Sequence, residues 1–141
     1  MNPRLDKLVA SLPAAGVDAL FVTNPLNIHY LVGFGEDSYL LVSAKESVLL
    51  TDFRYVEEAE SKVKGARIHR YGDDLYADVR SIADSLGANK LGFESAHMTH
   101  SALTKLAAKF DCDRAVPTEG LVEKLRLIKD DSEIAAIARA A

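Results

Sequence analysis

The fold is decided by residues 18–34, which read Asp18-Ala-Leu-Phe-Val-Thr-Asn-Pro-Leu-Asn-Ile-His-Tyr-Leu-Val-Gly-Phe34. The short apolar run at 19–23 is typical of a buried strand, and Asn24-Pro25 ends it. A proline in the first turn then favours a short helix over 25–31, and Gly33-Phe-Gly35 forms a loop. An apolar strand followed by a helix is a building unit of α/β sheets.

The rest of the chain continues this alternation. Further helices are predicted from the helical spacing of apolar residues or from a capping residue, over 4–12, 53–63, 74–86 and 99–110, with a last helix capped by Asp131 or Ser132. Further strands are predicted over 39–43, 47–52, 67–71, 90–94 and 112–116. The first two of these strands flank a short turn and form a hairpin. The whole pattern predicts one α/β domain with a mixed β-sheet.

Composition narrows the possible functions. The 17 basic and 21 acidic side chains leave a net charge of −4, which argues against a nucleic-acid partner. No apolar run approaches the roughly 18 residues of a membrane span, and the N-terminus lacks the apolar core of a signal peptide. A single cysteine, Cys112, excludes an internal disulfide framework within these residues. We expect no membrane partner and a cytoplasmic location.

The polar residues do not form a recognisable catalytic or metal-binding motif. The histidines are scattered over different predicted elements, at positions 29, 69, 97 and 100. Asp73-Asp74 and Asp130-Asp131 each precede a predicted helix, where acidic side chains cap free N–H groups. Cys112 lies between two aspartates, which disfavours a reactive thiolate. We therefore expect no catalytic residue and no metal ligand in this chain.

Two segments point to binding. Residues 30–38 combine aromatic, glycine and acidic residues in one loop, a composition suited to specific contacts. The motif Thr51-Asp-Phe-Arg-Tyr55 follows an apolar strand, at the sheet edge where α/β folds place ligands. Arg54 offers a planar fork that matches a carboxylate. The alternative is that Arg54 pairs on the surface with Asp52 or Glu58.

Three stretches, in this order, resemble the N-terminal domain of the creatinase/prolidase/aminopeptidase P family. They are residues 18–34, Val48-Leu-Leu-Thr-Asp-Phe-Arg-Tyr55 and Glu123-Lys-Leu-Arg-Leu-Ile-Lys-Asp-Asp-Ser-Glu-Ile134. The resemblance covers nearly all of the chain. It implies a ribonuclease H-like, three-layer α/β domain with a mixed sheet and flanking helices.

The resemblance also implies a division of the chain. Residues 1–127 correspond to the N-terminal domain, and residues 128–141 to a linker and the start of the first helix of an absent C-terminal pita-bread catalytic domain. In the family that domain binds two divalent ions, commonly manganese or cobalt, and hydrolyses peptide bonds before proline. We therefore expect the parent protein to be an Xaa-Pro metallopeptidase, and this chain alone to be inactive and without a cofactor.

In the family, the N-terminal domain helps to form a homodimer and reaches over the active site of the partner subunit. The resemblance therefore implies that Arg54 and Tyr55 contact substrate or the partner's site, and that Phe34 walls the pocket. Glu36 and Asp37 would add negative charge that favours a free amino terminus or a basic group. The loop reads Gly-Phe-Gly-Glu-Asp-Ser and the motif Asp-Phe-Arg-Tyr, where the family more often has Gly-Phe-(Ser/Thr)-Gly-Ser and Asp-Gly-Arg-Tyr.

Three hypotheses remain open at this point. The first is a gating and dimerisation domain of an Xaa-Pro dipeptidase or aminopeptidase, with its own catalytic domain, a second copy and a peptide with proline at P1′ as partners. The second is a stand-alone α/β interaction module without catalysis. The third is the N-terminal domain of a creatinase-like amidinohydrolase.

Overall fold

The computed structural model describes residues 2–111, 113–128 and 131–140. Strands and helices alternate along these residues, as the sequence predicts. The strands are β1 (Ala19–Val22), β2 (Ser38–Ser43), β3 (Ser47–Thr51), β4 (Arg67–Arg70), β5 (Leu91–Glu94) and β6 (Ala115–Thr118). The helices are α1 (Pro3–Ser11), α2 (Pro25–Val32), α3 (Val56–Lys62), α4 (Leu75–Ser85), α5 (His100–Ala107), α6 (Leu121–Leu127) and α7 (Asp131–Ala140).

The six strands form one mixed sheet in the order β4-β3-β2-β1-β5-β6. Strands β1, β2 and β3 are antiparallel neighbours, whereas β4, β5 and β6 each pair in parallel with their inner neighbour. The predicted hairpin is β2–β3, and its register places Ser38 opposite Thr51. The fold class is therefore the predicted one, a mixed α/β sheet with flanking helices.

Each face of the sheet is covered by helices because successive strand residues point to opposite sides. Leu20 and Val22 of β1 pack in one apolar cluster with α1, α2, α3 and α6. Ala19 and Phe21 of the same strand pack in a second cluster with α4 and α5. All four side chains are fully buried, and full burial of a valine, leucine or phenylalanine side chain contributes about 1.5–3 kcal/mol. The result is three layers, with helices on both sides of the sheet.

Capping residues set where several helices begin. Thr99 and Asp74 accept hydrogen bonds from the backbone N–H groups of Ala102 and Ala77, which confirms their predicted capping roles. Asn24 caps α2 through the N–H of Leu26. The side chains of the other predicted caps, Asp131 and Ser132, lie outside the described part of the chain. Asp130 and Cys112 lie outside it altogether.

Three predicted boundaries were wrong. The last strand runs from Ala115 to Thr118 instead of over 112–116, because an edge strand accommodates Pro117, which has no N–H to donate. Helix α5 ends at Ala107 rather than at residue 110. The segment after β3 begins as a 3₁₀ turn, Phe53–Tyr55, before α3.

Candidate functional site

The β2–β3 hairpin brings the two candidate segments together. Ser38 begins β2 and Thr51 ends β3, and their hydroxyl oxygens lie 3.1 Å apart in the protein interior. The loop before β2 and the turn after β3 therefore leave the sheet side by side. We call Asp37 of the loop together with Asp52, Arg54 and Tyr55 of the turn the Arg54 cluster.

Arg54 bridges the loop and the turn. Its Nε donates to Oδ1 of Asp52 at 2.9 Å, and its Nη2 donates to Oδ2 of Asp37 at 3.5 Å. The same Oδ1 of Asp52 accepts the backbone N–H of Arg54 at 2.9 Å. The surface pair with Asp52 is therefore present, whereas Glu58 pairs with Lys62. The side chains of Arg54 and Asp37 are each 58% exposed, so both remain accessible to a ligand.

Asp37 has an unusual backbone conformation. Its φ of +41° lies in the left-handed region, which makes it the single residue other than glycine with positive φ among the described residues. Aspartate tolerates this conformation better than most residues, yet it still costs about 1 kcal/mol. The loop is thus bent sharply at the position where its carboxylate meets Arg54.

Two aromatic residues, Phe34 and Tyr55, pack together, and Tyr55 lies beside the guanidinium of Arg54. The ring centroids of Phe34 and Tyr55 lie 6.3 Å apart, and the guanidinium of Arg54 lies 5.4 Å from the centroid of Tyr55. Phe34 is only 3% exposed and belongs to the apolar core, so most of its ring packs against protein. Together with Glu36 and Tyr55 it lines an open cavity of about 310 Å³. The structure therefore brings together all five predicted site residues, Arg54, Phe34, Glu36, Asp37 and Tyr55.

The ion pair changes the titration of both partners. The backbone N–H and then the guanidinium of Arg54 lower the pKa of the Asp52 carboxyl below its usual value. The hydrogen bond to Asp52, followed by its charge, raises the pKa of Arg54. Both groups are therefore charged at neutral pH, and the pair persists there.

Phe53 is an exposed aromatic residue beside the cluster. It is 65% exposed, and the guanidinium of Arg70 lies 5.6 Å from its ring centroid. In the sequence this phenylalanine stands out only as a departure from the family motif. Its exposure could have been predicted from its position in a turn, between two charged residues.

A second polar network, which sequence reasoning missed, lies at the same edge of the sheet as the Arg54 cluster, at the carboxyl ends of β1 and β5. Glu94 ends β5 and is only 7% exposed. Its Oε1 accepts the backbone N–H groups of Thr23 and Asn24 at 2.6 and 2.9 Å. Its Oε2 accepts the amide of Asn27 at 2.6 Å. A glutamate at the end of an apolar strand was the available signal, because a buried carboxylate requires partners.

Two of the four histidines form polar pairs, in separate places. His97 lies 3.0 Å from the hydroxyl of Thr23, and His69 lies 3.1 Å from Asp78. Within the described part of the chain, no group of three or more His, Cys, Asp or Glu side chains is arranged to hold a metal ion. A two-metal centre of the kind that the resemblance implies does not fit these residues. None of the helices described is long and apolar enough to cross a membrane.

Comparison with known proteins gives consistent matches. The Creatinase/Prolidase N-terminal domain family matches residues 4–128. An uncharacterized peptidase of Bacillus subtilis, YqhT, is 34% identical over 139 residues, which cover 98% of this chain and 39% of that protein. The chain thus spans about two fifths of the length of the curated relatives it matches.

Two solved structures share the fold at substantial identity. An Xaa-Pro dipeptidase from Bacillus anthracis superposes with a TM-score of 0.88 and 37% identity, over 94% of this chain and 37% of that one. The N-terminal domain of the cytoplasmic peptidase PepQ from Mycobacterium tuberculosis superposes with a TM-score of 0.79 and 34% identity, over 89% of this chain and 100% of that one.

Proposed function

The chain belongs to the creatinase/prolidase N-terminal domain family, and from this premise we propose that it is the substrate-gating and dimerisation domain of an Xaa-Pro dipeptidase or aminopeptidase. In this proposal residues 1–127 are the N-terminal domain and residues 128–141 lead into a catalytic domain. The end of the family match at residue 128 supports that boundary. The solved structure from Bacillus anthracis is that of an Xaa-Pro dipeptidase, which supports hydrolysis of the bond before proline as the proposed reaction.

The Arg54 cluster is the observation that carries the proposal. It is an exposed cationic group held between two carboxylates, on a turn that also borders a cavity. The two hydrogen bonds to Asp37 and Asp52 use two of the five N–H donors of the guanidinium. The other N–H donors of the guanidinium can bind a carboxylate, and a short peptide ending in proline carries one at its C-terminus.

The acidic residues of the loop complement the other end of a peptide. Glu36 and Asp37 are both exposed and lie in the loop that precedes β2. Their negative charge favours a free ammonium group, and Tyr55, which packs on the buried ring of Phe34, supplies apolar surface beside them. We propose that a peptide with proline at P1′ lies between these groups and the active site of a partner subunit in a homodimer.

The chemistry itself is assigned to the catalytic domain. That domain would hold two divalent ions, manganese or cobalt, on ligands of its own. The catalytic role of this chain is then to bind and orient the ends of the peptide and to exclude water from the partner's site. A cytoplasmic location is proposed by likeness to the cytoplasmic peptidase PepQ.

The proposal is tested with the full-length protein and the 141-residue chain in parallel. With added manganese, the full-length protein should hydrolyse dipeptides that end in proline, and the chain alone should not. A panel of guanidino and amide substrates separates this activity from that of a creatinase-like amidinohydrolase. Turnover by the chain alone, or turnover of creatine in place of the dipeptides, would contradict the proposal.

A further inference from the structure

Asn27 is a fully buried amide at the junction of three elements. It lies on α2 and has 0% exposure. Its Nδ2 donates to Oε2 of Glu94 at 2.6 Å and to Oε2 of Glu123 at 3.1 Å. Its Oδ1 accepts Nη1 of Arg126 at 3.0 Å. The carboxylates can only accept and the guanidinium can only donate, so the orientation of the amide is determined by its partners.

One side of this junction is anchored to the sheet. Glu94 ends β5, an inner strand that lies between β1 and β6, and its other oxygen accepts the N–H groups of Thr23 and Asn24. Those two residues form the turn between β1 and α2. Asn27 is therefore anchored to the sheet edge through a buried carboxylate whose own position is fixed by two backbone groups.

The other side of the junction is α6. Glu123 and Arg126 lie on this helix, one turn apart, and both bond the Asn27 amide. One turn further along α2, the hydroxyl of Tyr30 donates to the backbone carbonyl of Leu125 at 3.2 Å. Arg4 of α1 donates to the backbone carbonyl of Tyr30 at 2.8 Å and pairs with Glu133 of α7 at 3.3 Å. Helix α2 thus holds the segment that leads toward the proposed catalytic domain.

The same helix leads into the loop of the Arg54 cluster. Helix α2 ends at Val32, and Gly33, with φ of +86°, turns the chain into residues 34–37. Gly35 packs directly against the helix, because a Cβ added there would lie 2.7 Å from the carbonyl oxygen of Pro25. A shift of α2 relative to α6 would therefore move the loop that carries Asp37.

We propose that Asn27 is a positioning residue that couples α6, and the catalytic domain that we place after it, to the loop of the Arg54 cluster. This inference rests on the proposed function. Two carboxylates and one guanidinium meet at one amide, and an apolar residue of similar size would leave Glu94 with one oxygen buried without a donor. An aspartate would place a third carboxylate beside the other two.

The test is a double-mutant cycle in the full-length protein, with kcat and KM measured on a dipeptide that ends in proline. Asn27→Asp keeps the side-chain shape and removes both N–H donors. Glu123→Ala removes one of the two side-chain bonds between Asn27 and α6 and keeps the bond between Asn27 and Glu94. Glu123 is exposed, so this variant tests the coupling even if Asn27→Asp does not fold. Each is combined with Arg54→Ala. Asn89→Asp, at an exposed position, is the matched control.

We expect each single substitution at 27 or 123 to lower kcat/KM about tenfold and the control to leave it unchanged. In either background, the effect of Arg54→Ala should shrink from about tenfold to about threefold or less, because the misplaced cluster no longer contributes fully. If Asn27 and Glu123 supplied stability alone, the effects would multiply instead.

The outcomes separate this inference from the proposed function. A normal effect of Arg54→Ala together with unchanged kcat/KM in Glu123→Ala would overturn the coupling and leave the proposed function standing. So would an undiminished tenfold effect of Arg54→Ala in both backgrounds. An Arg54→Ala variant with unchanged kcat/KM would overturn the proposed role of Arg54, and the coupling with it.

Discussion

Oδ1 of Asp52 accepts two hydrogen bonds from Arg54, one from its backbone N–H and one from its side-chain Nε, each at 2.9 Å. One carboxylate oxygen thus caps the 3₁₀ turn and fixes the guanidinium of the next residue but one. The cluster is preorganised by this arrangement, because Arg54 does not have to be ordered when a ligand binds.

Replacing Asp52 by Asn should change how stability depends on pH. The pKa of Asp52 is lower in the folded protein than in the unfolded chain, so its contribution is present above the unfolded pKa of about 4 and is lost as pH falls through the folded pKa. Tm measured from pH 7 down to pH 2 should therefore differ between wild type and Asp52→Asn near neutral pH, and the difference should shrink in acid. A constant difference across this range would contradict the assignment.

Asn24→Ala should destabilise α2. The Asn24 side chain accepts the N–H of Leu26 at 3.0 Å, and loss of such a cap costs about 1 kcal/mol. The urea midpoint should fall accordingly, with an unchanged slope. Asn89→Ala is the control, since Asn89 is exposed and lies outside any helix. Equal midpoints for the two variants would show that the cap contributes nothing.

Gly35→Ala should disturb the loop by steric contact alone. A Cβ at Gly35 would lie 2.7 Å from the backbone oxygen of Pro25, whereas one at Gly72 would meet no atom within 4 Å. Neither glycine has positive φ, so Gly72→Ala is a matched control without the clash. We expect Gly35→Ala to lose about 1–3 kcal/mol of unfolding free energy and Gly72→Ala to lose almost none. Similar losses in chemical denaturation would refute this account of the loop.

The parts of the fold that depend on local sequence were predictable. The apolar run of β1, the hairpin of β2 and β3, and the capping residues Asp74 and Thr99 each act through neighbours within a few positions. Composition and position directed attention to the loop that contains Asp37 and to Arg54, and the resemblance then gave the two segments a shared role. Asp37 and Arg54 are 17 positions apart and meet only because the hairpin aligns the two ends. Neither the residue pattern nor the resemblance indicated that their side chains would pair.

The buried network could not be predicted in this way. Glu94 and Asn27 are 67 positions apart, and their bond exists because β5 pairs in parallel with β1 and α2 folds back over that edge. The glutamate at the end of an apolar strand signalled only that a buried carboxylate would need partners, and nothing in the sequence identified Asn27 as one of them. The burial of both residues depends on the packing of α6, which no local pattern specifies.

The central claim is that the Arg54 cluster contributes to the substrate site of the full-length enzyme. The most direct measurement is kcat/KM of the full-length protein for a dipeptide ending in proline, in wild type, Arg54→Ala and Arg54→Lys. We predict a loss of about tenfold or more, about 1.4 kcal/mol, for the alanine variant, with an intact fold by circular dichroism and partial recovery with lysine. An alanine variant with wild-type kcat/KM would contradict the account and reduce Arg54 to a surface partner of Asp52.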